Sequence, residues 1–128
     1  LYESARNTVQ ALGGAHYGRW LGTVRHIGHH ERWPQNVDEQ KVERQLSYLI
    51  GASTLASRAF LEAVGLMQDD YFLYFEELDW AARARGRFRL GYAAKSVVYH
   101  KEGSSIGGND RAKSAKSYTA DLYALKNR

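Results

Sequence analysis

The chain has 128 residues, of which 44% are hydrophobic and 25% are charged, so it can bury a core and is not a disordered protein. It has no cysteine, which excludes disulfide bonds and thiolate metal sites. Its net charge of +4 is the sum of −4 over residues 1–82 and +8 over residues 83–128. That asymmetry suits a phosphate-bearing substrate, an anionic membrane or a nucleic acid, or simply a solvated surface whose charges offset each other.

The N-terminal third of the chain predicts little regular structure. Residues 1–12 fit either a helix or an irregular lead-in. Five glycines interrupt residues 13–37, which we predict to be a long loop ending near the single proline. Loops of this length often serve as a flap or an acceptor loop. Residues 37–45 are polar and charged and predict a solvated turn of helix.

The next segment predicts a strand followed by a helix. Residues 47–57 are apolar and β-prone, so we expect a buried strand with a close backbone approach at Gly51. A short amphipathic helix over residues 58–64 should end at Gly65, because glycine suits the position after a helix.

A second helix is predicted over residues 75–85, with Gly86 ending it. Acidic residues crowd its first turn and arginines its last, as the helix dipole favours. Asp79 and Arg83 are spaced at i,i+4 and should form an ion pair.

The C-terminal third predicts two short strands, over residues 88–93 and 96–100, then a Gly/Ser-rich loop over 103–108. Residues 113–128 predict a basic amphipathic helix with apolar side chains along one face: Tyr118, Leu122 and Leu125. The alternation of apolar runs with helical patterns predicts an α/β fold. We expect a small mixed sheet of the strands near 47–57, 88–93 and 96–100, with flanking helices.

Residues 71–80 place three carboxylates in one of the most aromatic stretches of the chain. On a helix, Glu76 shares a face with Asp79 and Trp80, while Glu77 points about 100° away. Burial against apolar side chains and a neighbouring negative charge both raise the pKa of a carboxylate. A carboxylate with a raised pKa can act as a general base. The alternative is that the acids simply favour the start of a helix.

Histidines supply the other candidate site residues. His100 follows an apolar run, where it could bind a divalent metal, relay a proton or serve a structural role. His26, His29 and His30 cluster near three arginines, which suits a phosphate contact better than a zinc site.

Taken in order, four segments resemble the second half of a family-two glycosyltransferase of the GT-A type, with rhamnosyl- and galactosyltransferase-like members most similar. The first two are Gly51-Ala52-Ser53 with Arg58 and Gly65, and the acidic stretch Tyr71-Phe72-Leu73-Tyr74-Phe75-Glu76-Glu77-Leu78-Asp79-Trp80. The others are Val97-Val98-Tyr99-His100 with Gly103-Ser104-Ser105, and Tyr123 with Lys126-Asn127-Arg128. The resemblance covers about 80 residues, from Tyr48 to the C-terminus.

The resemblance implies a role for each candidate residue. Glu77 would be the catalytic base, with Glu76 and Asp79 beside it in the acidic motif. His100 would be a ligand of the Mg²⁺ or Mn²⁺ that holds the donor diphosphate. The acceptor would lie against Gly51, Ala52 and Trp80. The reaction would be an inverting transfer of a hexose from a nucleotide-sugar donor to a saccharide or lipid-linked acceptor hydroxyl, in polysaccharide or glycoconjugate synthesis.

The resemblance also bears on domain organisation. Residues 1–128 would be the C-terminal, acceptor-side part of a GT-A type domain, whose nucleotide-binding half with its Asp-x-Asp motif is not in this sequence. The isolated chain is therefore expected to transfer no sugar. A cytoplasmic location is implied, either in solution or at the inner face of the membrane through peripheral contact.

Two other functions compete with this interpretation. A basic binding module for nucleic acid or anionic membrane, without catalysis, is suggested by Tyr118, Tyr123 and the basic C-terminal segment. That alternative leaves the acidic motif unexplained, and nucleic acid is disfavoured as a partner. The third alternative is a catalytically inactive structural remnant.

Overall fold

The computed structural model describes residues 1–33, 36–101 and 118–127. They form a mixed α/β fold with a small antiparallel sheet and short helices. In chain order the elements are β1 (Gly14–Gly18), β2 (Thr23–His26), α1 (Glu39–Gln45), β3 (Tyr48–Leu49), α2 (Arg58–Val64), α3 (Glu76–Ala84) and α4 (Tyr118–Lys126). Single 3₁₀ turns occur at Gly51–Ser53 and Asp69–Tyr71. No helix in this part of the chain is long and apolar enough to cross a membrane.

The sheet has the strand order β2-β1-β3, and β1 is antiparallel to both neighbours. The prediction of a loop over residues 13–37 is therefore wrong, because this segment contains the β1–β2 hairpin. Its glycines permit the hairpin rather than prevent it. Gly22 has a φ of +60° in the connecting turn. A Cβ on Gly14 would collide with the backbone oxygen of Tyr48 on β3.

The predicted sheet is also wrong in its other strands. The strand expected over 47–57 is reduced to Tyr48–Leu49. Residues 88–93 form no strand, because carboxylates of α1 accept hydrogen bonds that a neighbouring strand would otherwise accept. Glu43 accepts the Tyr92 N–H at 3.0 Å, and Glu39 accepts the Ala94 N–H at 3.3 Å.

Residues 96–100 are likewise not a strand of this sheet. Instead, the end of this segment runs beside the N-terminus. The His100 N–H donates to the Leu1 carbonyl at 2.9 Å, and the Glu3 N–H donates to the His100 carbonyl at 3.1 Å. A single parallel bridge joins Tyr2 to His100. The predicted extended conformation thus finds its partner in residues 1–3, which are irregular rather than helical.

The helices of the middle segment are confirmed. α1 lies within the predicted 37–45 segment and is capped by Asp38, which accepts the Lys41 N–H at 3.0 Å. α2 spans the predicted residues and ends at Gly65, whose φ is +81°. α3 occupies all but the two ends of the predicted 75–85 segment.

The C-terminal helix α4 differs from the prediction in the face that it packs. Its predicted apolar stripe is exposed, at 82% for Tyr118 and 73% for Leu125. The half-buried residues are Tyr123, Ala124 and the following Asn127. Residues 113–117 of the predicted helix and the predicted 103–108 loop lie outside the described residues.

The hydrophobic core lies beside the hairpin. Its fully or nearly buried members come from the N-terminal segment, the hairpin and α1: Val9, Leu12, Ile27 and Val42. A separate aromatic group joins α2 to α3, where Phe60 packs edge-on against Trp80 and Phe88 at centroid distances of 4.8 and 5.1 Å. The candidate site described below lies between these two clusters.

Candidate active site

A cavity of about 820 Å³ lies between the core and the aromatic group. Its volume falls in the range of small-molecule sites in proteins. Four predicted site residues line it: Ala52, Glu77, Trp80 and His100. The remaining predicted residues do not: Gly51, Glu76 and Asp79. The structure therefore brings the predicted base and the predicted histidine to the same cavity from distant parts of the chain.

Glu77 is held in place by Gly51. Its Oε1 accepts the Gly51 N–H at 3.0 Å, which links the first turn of α3 to the 3₁₀ turn after β3. A Cβ on residue 51 would collide with the same Oε1. The close backbone approach predicted at Gly51 is thus confirmed, and the group that approaches is the carboxylate of Glu77.

The surroundings of Glu77 change its acidity. Burial raises the pKa of Glu77, and the charge of Glu76 raises it further. The backbone N–H groups of Glu77 and Gly51 act in the opposite direction, because they stabilise the ionised form. Burial and the two carboxylates also raise the pKa of the neighbouring Tyr48 to about 12, so its hydroxyl keeps its proton at neutral pH. A raised pKa brings a carboxylate closer to the range in which a general base works best.

The other two acidic residues of α3 have different environments. One carboxylate oxygen of Glu76, Oε2, is buried and has no hydrogen-bond partner among the residues that the structure describes. Asp79 accepts from the Arg83 guanidinium at 2.8 Å, which confirms the predicted ion pair. Arg83 also donates to the carbonyls of Val64 and Leu66 at 2.7 and 2.8 Å. Asp79 therefore orients an arginine that holds the end of α2.

Trp80 lines the cavity and has an anchored indole N–H. Its Nε1 donates to the Gly65 carbonyl at 2.9 Å. Together with the edge-on contact to Phe60, this bond fixes the orientation of the ring. The cavity thus has an aromatic lining residue whose position is held by two contacts.

His100 is oriented by a buried glutamine. Its Nδ1 lies 3.0 Å from Oε1 of Gln10, a polar residue that is only 6% exposed. With the amide oxygen as acceptor, Nδ1 is the donor of this pair, and Nε2 is the ring nitrogen that Gln10 leaves for other partners. The role of Gln10 was not predicted from the sequence. The signal was a single amide within the apolar run of residues 9–12.

The described residues do not form a complete metal site around His100. In residues 1–33, 36–101 and 118–127, no three His, Asp or Glu side chains are grouped so that they could hold an ion. Mg²⁺ and Mn²⁺ prefer oxygen ligands, so a single imidazole is not enough to bind either. The histidines of the 26–30 cluster do come together, since the rings of His29 and His30 are 4.0 Å apart, but they likewise form no such group.

Arg89 is a cavity residue that the site prediction missed. It belongs to a run of alternate arginines between residues 83 and 89, whose members serve different roles. Arg87 donates to the Ala63 carbonyl at 2.7 Å and so supports α2. Arg89 lines the cavity, and its side chain is 93% exposed. Its Nη2 lies 3.8 Å from Oε2 of Glu43. It provides a cation that an anionic ligand can reach.

The loop that delivers Glu77 has an unusual backbone. Phe72, Tyr74 and Phe75 have φ values of +56°, +64° and +71°. Each left-handed, non-glycine residue costs about 1 kcal/mol or more. Nothing in this glycine-free stretch predicts such a conformation, and Phe75 directly precedes α3 without a side-chain cap.

Asn127 stabilises this loop from the end of α4. Its Nδ2 donates to the carbonyls of Tyr71 and Leu73, both at 2.7 Å, and lies 3.2 Å from the carbonyl of Tyr74. The ring of Tyr123, one turn earlier, packs against Phe72 at 4.9 Å. The C-terminal helix therefore supports the segment that positions the candidate base.

No protein-family model, curated protein or solved structure matches this chain. The resemblance that the motifs suggest therefore remains an expectation, and the geometry of the cavity is the independent observation that bears on function.

We predict that Gly51→Ala displaces the Glu77 carboxylate, because the new Cβ and Oε1 cannot occupy the same space. The free energy of unfolding should fall by about 1–3 kcal/mol, through the lost hydrogen bond and local overpacking. Urea denaturation measures the change. The matched control is Gly91→Ala, whose Cβ would meet its nearest neighbour at an ordinary 3.7 Å. Equal stability of the two variants would contradict the proposed contact.

We also predict that Asn127→Ala loosens the loop before α3. The carbonyls of residues 71, 73 and 74 lose their side-chain donor, which should cost about 1–3 kcal/mol of stability. Amide hydrogen exchange should become faster over residues 72–77. The control is Asn36→Ala, which removes an exposed amide. Unchanged exchange in the Asn127 variant would show that the loop holds its conformation without this contact.

Proposed function

We propose that the chain is the acceptor-side, catalytic-base part of a GT-A type nucleotide-sugar glycosyltransferase. The observation that supports this most is the Glu77 carboxylate, which lines an 820 Å³ cavity and has a pKa raised by burial and by Glu76. This combination is what a general base for an alcohol requires. The motif resemblance supplies the reaction class.

The proposed chemistry is a single displacement. The acceptor hydroxyl attacks the anomeric carbon of the donor sugar while the bond from that carbon to the nucleotide diphosphate breaks. Glu77 takes the proton that the hydroxyl loses. Its Oε1 is held by Gly51, so the second carboxylate oxygen is the one left to receive that proton. The product sugar has inverted anomeric configuration.

The other cavity residues suit the binding of a sugar and a diphosphate. Trp80 offers a fixed aromatic face, against which the apolar side of a sugar ring can pack. Arg89 can pair with a phosphate oxygen through its planar guanidinium group. His100 offers Nε2, because Gln10 occupies Nδ1.

We further propose that the donor half of the enzyme, including most ligands of the Mg²⁺ or Mn²⁺, lies outside this sequence. His100 alone does not make a site for either ion, so the chemistry assigned to this chain uses its own residues only. The exposed Arg89 can attract a diphosphate, although a single screened charge gives only loose, salt-dependent binding.

The alternative proposal is a basic binding module for nucleic acid or anionic membrane, without catalysis. In the described part of α4, Tyr118 is 82% exposed, whereas Tyr123 packs against Phe72 and has the Lys126 ammonium 5.4 Å from its ring centroid. Between Tyr118 and Lys126 there is one lysine and one aspartate, Asp121, and the other basic residues of this segment lie outside the described residues. The glycosyltransferase proposal accounts in addition for the acidic motif of α3.

Replacing Glu77 by glutamine tests the proposal. In the full-length enzyme, Glu77→Gln should lower sugar transfer by ~10²-fold or more and leave donor binding unchanged, because the amide cannot accept the proton. Its amide oxygen can still accept the Gly51 N–H, so the fold should persist. The control is Glu62→Gln, which changes an exposed carboxylate paired with Arg58 on α2. Near-normal transfer by the Glu77 variant would show that Glu77 is not the base.

The same variant has a predicted effect on stability. A carboxyl group whose pKa is raised in the folded state stabilises the fold at low pH, and this contribution is lost as the pH rises through that pKa. The stabilising contribution of Glu77 is therefore smaller at pH 7 than at low pH, whereas glutamine does not ionise and shows no such loss. The melting temperature of Glu77→Gln at pH 7 should equal or exceed that of the wild type. A clear decrease would show that the ionised carboxylate is stabilising.

A further inference from the structure

The tip of the β1–β2 hairpin carries an apolar pair that projects into solvent. Trp20 is 100% exposed and Leu21 is 79% exposed. The turn that presents them is closed by a hydrogen bond from the Leu21 N–H to the Gly18 carbonyl at 3.2 Å, and Gly22 adopts a φ of +60°. β1 and β2 pair as far as Gly18 and Thr23, at the base of the turn. The two side chains are therefore held outward by an ordered hairpin.

The hairpin is also cationic. Residues 13–30 contain Arg19 and Arg25 and no aspartate or glutamate. Arg19 directly precedes the apolar pair, and Arg25 lies on β2 opposite His16, where both are exposed. An exposed tryptophan beside arginines has the chemistry of a membrane interface, where indole rings favour the headgroup region and cations attract anionic lipids.

We propose that this tip, formed by residues 19–22, docks the protein on a bilayer that contains anionic lipid. Trp20 and Leu21 enter the headgroup region, and Arg19 and Arg25 contact lipid phosphates. None of these residues lines the cavity, so the inference is independent of the proposed function.

The shape of the tip favours a bilayer over a protein partner. A stable protein interface buries about 800 Å² on each side, which two projecting side chains cannot supply. A bilayer needs no complementary pocket, because its headgroup region accepts a convex group of any shape. The uniformly positive charge of the hairpin matches an anionic membrane and not a neutral one.

Vesicle sedimentation tests the docking surface. The 128-residue chain should partition at least about tenfold better onto phosphatidylcholine vesicles with 30 mol% phosphatidylglycerol than onto phosphatidylcholine alone, since two arginines near the surface contribute about fivefold each. Trp20→Ser should lower partitioning by about tenfold or more, because it removes the largest apolar group that enters the interface. Arg19→Gln with Arg25→Gln should remove the preference for anionic lipid.

The matched control is Leu66→Ser, which removes a 74% exposed apolar side chain elsewhere on the surface. It should partition like the wild type. Circular dichroism checks that each variant is folded, and Trp20 makes no core contact that the substitution would remove. A blue shift of tryptophan emission on vesicle addition should occur in the wild type and be lost in Trp20→Ser.

Two outcomes would overturn the proposal. The first is no partitioning of the wild type onto anionic vesicles. The second is equal partitioning of Trp20→Ser and wild type. If vesicle binding is absent and a single-stranded oligonucleotide binds in a salt-sensitive way that Trp20→Ser abolishes, the tip is a base-stacking surface instead.

Discussion

The contact between the Glu77 carboxylate and the Gly51 N–H sets the geometry of the whole site. It exists only because residue 51 has no Cβ, and it ties α3 to the turn after β3. The same helix holds the end of α2 through Trp80 and Arg83, which donate to backbone carbonyls at residues 64–66. One short helix thereby joins the small sheet to α2, and its residues Glu77 and Trp80 both line the cavity. Displacement of this helix would disrupt the packing and the site together.

The site is assembled at a local cost in free energy. The carboxylate of Glu77 is partly desolvated beside Glu76, and the loop before it has three left-handed residues without a glycine. Strained backbone and disfavoured charges are common at functional sites. They persist only where contacts from the surrounding structure compensate for their cost in free energy. Asn127 supplies several of these contacts to the loop carbonyls.

The sequence predicted the parts that depend on local chemistry. Gly65 marks the end of α2, and Gly51 marks the close approach, because each position has a steric reason for glycine. The hairpin could not be predicted from its glycines, because glycine both interrupts strands and, as at Gly14, permits the tight approach of β3. The strand prediction for residues 88–93 is wrong because carboxylates of α1 accept hydrogen bonds from the backbone N–H groups at the end of this segment. This is a tertiary contact, and the local pattern of apolar residues does not indicate it. The orienting contact of Gln10 with His100 spans 90 positions and has no local signal.

The most direct test of this account is the acidity of Glu77 itself. A ¹³C-detected NMR titration of side-chain carboxyl carbons in the 128-residue chain, with the Glu77 signal assigned by its absence in Glu77→Gln, measures the pKa. We expect a value above the ordinary 4.5 of a glutamate, because burial and Glu76 outweigh the two backbone N–H groups. A value at or below 4.5 would contradict it, since the carboxylate would then be a stabilised anion at the start of a helix and a poor base.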